Sequence, residues 1–140
     1  MSADALIEKA KSLRNEQKYA EAMLAAREAT RADPKNADAW WQLGLATQAC
    51  QGLSKSLDAY KKTAELAPGF GSGWYRLGMA EAELGKTDDA KVSLRLAFEL
   101  DSDLDGALDK LAELAEESDD ADEELWALEH LADQDNLSSR

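Results

Sequence analysis

The feature that most restricts how this chain can fold is a period of 34 residues that runs through most of its length. Trp40 recurs as Trp74, Leu43 as Leu77, Gly44 as Gly78 and Leu66 as Leu100, and Pro68 answers Pro34 one period earlier. Leu6, Trp40, Trp74 and Leu108 share one slot; Ala10, Gly44, Gly78 and Ala112 share another. Self-similarity at such an interval marks stacked supersecondary units, none of which can bury its apolar face alone.

The unit at residues 37–68 shows what is being repeated. Trp40, Leu43, Gly44 and Thr47 fall at helical spacing and predict a first helix over about residues 37–50. A break at Gln51-Gly52 follows. Leu53, Ser56, Leu57, Tyr60, Ala64 and Ala67 then line a second helix, which Pro68 stops. Gly44 and Gly78 lie on the apolar stripe, where a side chain would hold two helices apart. A glycine inside a helix costs about 1 kcal/mol relative to alanine, so close helix crossing has to offset it.

Trp, two residues, Leu-Gly, then an aliphatic second helix closing on Glu-Leu-Ala-Pro resembles the tetratricopeptide repeat (TPR). The signature reads Trp40, Leu43, Gly44, Tyr60 and Pro68 in one copy, and Trp74, Leu77, Gly78, Ala90, Ala97 and Leu100 in the next. The resemblance implies an all-α fold, a right-handed α-solenoid of antiparallel helix pairs. Three TPR motifs are expected at about 3–34, 37–68 and 71–102, with a degenerate fourth at 105–136 as cap. Together they form one TPR domain over 1–136, and 137–140 is expected to be a frayed tail. The first copy is weaker: Lys9 stands where the others have Leu43 and Leu77, as suits an end repeat with one face in solvent. In the fourth, Leu108, Leu111, Ala112 and Ala115 continue the first stripe, with Asp105 as helix cap, and Ala121, Leu128 and Leu131 continue the second. Trp126 falls outside that line, either packing inward by a register change or standing exposed.

Charge is unevenly spread. The net charge is −13, which argues against a nucleic-acid ligand. Residues 1–100 carry 14 acidic and 14 basic side chains, whereas residues 101–140 carry 15 acidic and 2 basic. The acidic stretch 113–124 reads as a solvated cap or as a surface that steers a basic partner. Cys50 is the lone cysteine, and no apolar run approaches the length of a membrane span. A cytoplasmic setting with no membrane partner is the expectation.

Residues one step round from the packing stripes are the candidates for function. The resemblance places Trp41, Leu45, Tyr75 and Met79 on the inner wall of the superhelix. Ile7 stands at one end, and Lys11, Arg14, Gln42, Gln48 and Arg76 would serve as polar anchors for a peptide. For Trp41 and Tyr75 packing against adjacent first helices is equally open. Some TPR domains clamp a terminal carboxylate with lysines and asparagines plus one arginine. Here only Arg76 fits, because Ile7, Lys11, Gln42 and Ser72 occupy the other positions.

Asp101, Asp103 and Asp105 followed by Gly106 resemble the opening of a calcium loop, with Leu108 and Asp109 continuing it, but Ala112 stands where the closing glutamate belongs. Metal binding there would be weak. His130 and Cys50 have no catalytic or metal-binding spacing, and no cofactor is implied. The expectation is a non-catalytic module, an adaptor, scaffold or assembly factor, that holds a peptide or protein segment in its groove. Self-association as a homo-oligomer, or service as the regulatory domain of a larger protein, is the alternative.

Overall fold

The computed structural model describes residues 1–138. Among these the chain forms eight α-helices and no strand: α1 (Ala3–Asn15), α2 (Tyr19–Ala32), α3 (Ala37–Gln51), α4 (Leu57–Leu66), α5 (Gly71–Glu83), α6 (Thr87–Leu100), α7 (Ala107–Glu117) and α8 (Ala121–Ser138). A single 3-10 turn, Ser54–Ser56, leads into α4. Consecutive helices pair into four hairpins, and the second helix of each packs on the first helix of the next: α2 on α3, α4 on α5, α6 on α7. The molecule is an α-solenoid in which each hairpin is buried by its neighbours.

Local chemistry sets the element ends. The Ser2 hydroxyl accepts from the Ala5 amide, and the Asn36 side chain accepts from the amides of Asp38 and Ala39. These caps satisfy donors that a helix start leaves orphaned. Turns inside the hairpins need one left-handed residue. Gly85 supplies it at φ 77°, while Gln17 and Asp119, in the same slot, adopt it at 63° and 55° without the freedom of glycine. Between hairpins, the Trp40 indole donates to the Pro34 carbonyl at 2.8 Å and the Trp74 indole to the Pro68 carbonyl at 2.9 Å. The two signature tryptophans thus tie each linker to the helix that follows it.

The helices cross closely at the two glycines. A methyl group built on Gly44 would lie 2.5 Å from Tyr60 Cε1, and one on Gly78 would lie 2.8 Å from Leu94 Cγ. Tyr60 and Leu94 are both fully buried. They fill the notch that the glycine leaves and also share clusters with the next hairpin, Tyr60 with Leu77 and Leu94 with Leu108, Leu111 and Leu114. Burial pushes the Tyr60 phenol up to about 12, with the Arg76 and Arg14 guanidiniums pulling the other way.

The fourth hairpin departs from expectation in three ways. Gly106, at φ 89°, stands before α7 in place of Asp105, close under the Tyr75 hydroxyl. The last helix runs on to Ser138, past the expected boundary at 136, so residues 137 and 138 are helical; 139 and 140 lie outside the described residues. Its inward face is Trp126, Ala127, His130 and Leu131, whereas Ala121 and Leu128 are exposed. Those two slots face the place of a following hairpin, and among the described residues none follows.

Two measurements test this packing. Gly78→Leu is expected to lower stability by about 1–3 kcal/mol or more in urea denaturation, because Leu94 and Ser93 leave no room. Gly69→Ala, where a methyl meets nothing within 4 Å, should be near neutral. The Tyr60 proton is held to about 12 in the fold but released near 10 in the unfolded chain, so its contribution is complete below about pH 10 and drains as pH rises toward 12, by up to about 1.4 kcal/mol per unit. Wild-type stability should therefore fall faster over that window than that of Tyr60→Phe, and tyrosinate absorbance should show one late-titrating phenol.

Candidate functional site

Helices α1, α3 and α5 are the first members of consecutive hairpins and lie side by side, so that Arg14 and Gln48, one period apart, come together with Arg76 from the next helix. Arg14 of α1, Leu45, Gln48 and Ala49 of α3 and Arg76 of α5 line one open hollow of about 340 Å³, bounded by Tyr19 at the start of α2. Arg76 Nη1 donates to Gln48 Oε1 at 3.1 Å, and the Tyr60 hydroxyl donates to the same oxygen. A buried phenol thereby fixes the amide, and the amide fixes Arg76. Arg14 Nε is buried and has no hydrogen-bond partner. Among the described residues no carboxylate lies within 4.0 Å of either guanidinium. Two cationic forks share a cleft without a counter-charge, an arrangement suited to a planar anion such as a carboxylate.

Four of the ten expected groove residues, Arg14, Leu45, Gln48 and Arg76, meet at this hollow. Trp41, Tyr75 and Met79 are half-buried and serve the stack. Trp41 meets Phe70 edge-on at 4.9 Å and Tyr60 at 5.5 Å, and Tyr75 and Met79 pack against the cluster around Leu94 and Leu111. They keep partly exposed edges.

Three expectations need correcting. Ile7 is 3% exposed, in a cluster with Leu6, Ala29 and Ala39, so no guest can reach it. Gln42 is 4% exposed and donates to Asp38 Oδ1 at 3.3 Å. Lys11 is engaged by Asp38 at 3.3 Å and Glu8 at 3.4 Å, and the Asp38 hydrogen bond raises its affinity for its proton. Asp38 is the reason that neither Lys11 nor Gln42 is available as an anchor. Tyr19 and Ala49 belong to the hollow and were not expected there; the period shows Tyr19 only as the start of a second helix.

The carboxy-terminal hairpin is tied to the third by charge and aromatic contact. Lys91 bridges to Asp120 at 3.1 Å and Arg95 to Glu123 at 2.6 Å, and the Arg95 guanidinium lies 4.2 Å from the Trp126 ring centre. Trp126 also meets Phe98 edge-on at 5.8 Å and His130 at 4.1 Å, so it packs inward, and His130 with it. At Asp101–Asp105 the Asp101 carboxylate accepts the Asp103 amide at 3.0 Å, a turn closing the end of α6. Among the described residues no three His, Cys, Asp or Glu side chains converge as a metal site would require.

The sequence matches a tetratricopeptide repeat family model at residues 3–36 and 72–104, which are the first and third hairpins. No curated protein sequence matches it. Among solved structures, the first TPR of Spaghetti (RPAP3), bound to the HSP90 peptide SRMEEVD, has a TM-score of 0.74 at 22% identity, covering 82% of this chain and 91% of that one. The first TPR domain of human RPAP3 scores 0.69 at 21%, covering 96% and 95%. MamA from Desulfovibrio magneticus RS-1 scores 0.80 at 17%, covering 99% and 76%. At these identities the likeness is one of fold. The matched segments make the first and third hairpins tetratricopeptide repeats, and the chain as a whole has the fold of a tetratricopeptide-repeat solenoid.

Proposed function

We propose that the chain is a non-catalytic protein-interaction module whose groove along α1, α3 and α5 holds an extended peptide by an acidic group seated between Arg14 and Arg76. The observation that carries this is that the half-buried Arg14 and Arg76 guanidiniums line one open hollow and, among the described residues, have no carboxylate partner. A guest carboxylate entering from the open side of the hollow would supply the missing counter-charge. The half-buried edges of Trp41, Tyr75 and Met79 would flank the rest of the guest.

Placement of charge supports the same reading. The Arg hollow belongs to residues 1–100, whose formal charges balance, so an acidic guest meets no net repulsion there. A structural neighbour is described in complex with a peptide that ends in Glu-Glu-Val-Asp, which is an acidic tail. This chain would seat an acid differently from the clamp described above, since Ile7 and Gln42 are buried and Lys11 is paired. Among the described residues no helix is long and apolar enough to cross a membrane. Adaptor or scaffold service in the cytoplasm fits such a module.

The test is fluorescence anisotropy with a labelled peptide ending in consecutive acidic residues and with its Gln/Asn, carboxy-amidated counterpart. The acidic peptide should bind, more weakly as salt rises, and the neutral one should not. Arg14→Ala with Arg76→Ala should weaken binding by more than about tenfold, the scale of a lost charge-assisted hydrogen bond, with helicity by circular dichroism unchanged. Unaltered binding by that variant would place the guest elsewhere.

A further inference from the structure

The outer face of α8 carries an exposed apolar stripe. Leu125 is 57% exposed and Leu128 48%, with Ala121 and Ala132 also exposed on the same helical stripe. The period explains what this face is. Leu128 lies one repeat after Leu94, two after Tyr60 and three after Ala26, all fully buried. Each of those three shares a cluster with a leucine of the next hairpin: Ala26 with Leu43, Tyr60 with Leu77, Leu94 with Leu111. Leu125 follows Met23, Leu57 and Lys91 in its slot, of which Met23 and Lys91 are buried and Leu57 is half-buried. These α8 positions are therefore where a further helix would stack, and both are leucine.

Charge decides among the occupants. Asp122, Glu129 and Asp133 border the stripe on one side, Glu124 and Asp135 on the other, and α8 contains no lysine or arginine. A second copy placed tail to tail would press two acidic helices together. A second copy placed head to tail would set Lys9 against Leu128, because Lys9 holds the slot of Leu43, Leu77 and Leu111. The amino-terminal face is thus polar where the carboxy-terminal face is not. We propose that Leu125 and Leu128 receive an amphipathic helix of another protein, apolar on one face and flanked by lysine or arginine, which stacks on α8 as α7 stacks on α6.

A stapled helical peptide serves as probe. It carries the apolar face of α7 (Ala107, Leu108, Leu111, Leu114, Ala115) with Asp109→Lys, Glu113→Lys, Glu116→Lys and Glu117→Lys; the unsubstituted α7 peptide and a scrambled basic peptide are the controls. Anisotropy with the full chain should show the basic peptide binding, weaker at higher salt, and neither control matching it. Leu125→Ser with Leu128→Ser should weaken it by about tenfold or more through lost apolar burial. Arg14→Ala with Arg76→Ala should leave it unchanged. Equal binding by the serine variant or by the scrambled peptide would reduce the effect to diffuse charge and overturn the proposal, as would equal binding by the acidic parent. Sedimentation showing that the chain associates with itself, and that the serine variant does not, would give the face to a second copy and overturn it too.

Discussion

The stack depends on two places where a glycine admits a large side chain from the partner helix. Gly44 receives Tyr60 and Gly78 receives Leu94, and in each pair the inserted group goes on to touch the following hairpin. One contact therefore sets both the spacing within a hairpin and the seating of the next. In the first hairpin the same slots hold Ala10 and Ala26, where a smaller group meets a smaller notch. Size is balanced across the pair in all three, which accounts for a helix-disfavouring residue in the middle of two helices.

Because this balance recurs at constant spacing, most of the fold was legible in the sequence: eight helices, their pairing and the two crossings follow from one period. Four of the six residues that line the hollow were legible as well. Arg14, Leu45, Gln48 and Arg76 sit one step round from the packing stripe, and a helix of known register exposes that step. Ile7 and Gln42 sit in comparable positions yet are buried, because burial in a solenoid is set jointly by two neighbours and a single helix reveals only its own contribution. Pairing of Lys11 with Asp38 crosses from α1 to α3, and no pattern within either repeat announces it. At α8 Ala121 and Leu128 keep the slots of the packing stripe without its burial, because no hairpin among the described residues covers them.

Charge divides the molecule along its axis. The balanced portion holds an arginine hollow without counter-charge, and the acidic portion holds an apolar stripe bordered by carboxylates. On the readings proposed above the two surfaces would take guests of opposite sign, and neither would compete for the other's ligand. Lys91 and Arg95 stand at the border and are consumed by Asp120 and Glu123, which joins the acidic hairpin to the rest and leaves its outer carboxylates in solvent.

Nearest-neighbour stacking also governs how strain and order travel through the molecule. Each hairpin is secured only by those beside it, so cohesion accumulates along a line, as in a zip fastener, with no closure between the two ends. Among the described residues the hairpins of α1 and α8 have one neighbour each, and a unit so placed opens at lower cost than one held on both sides. A helix seated on α8 would give the fourth hairpin a second neighbour and slow its opening. The Arg14–Arg76 hollow, three hairpins deep, would feel that guest only through the intervening Leu94 and Tyr60 contacts.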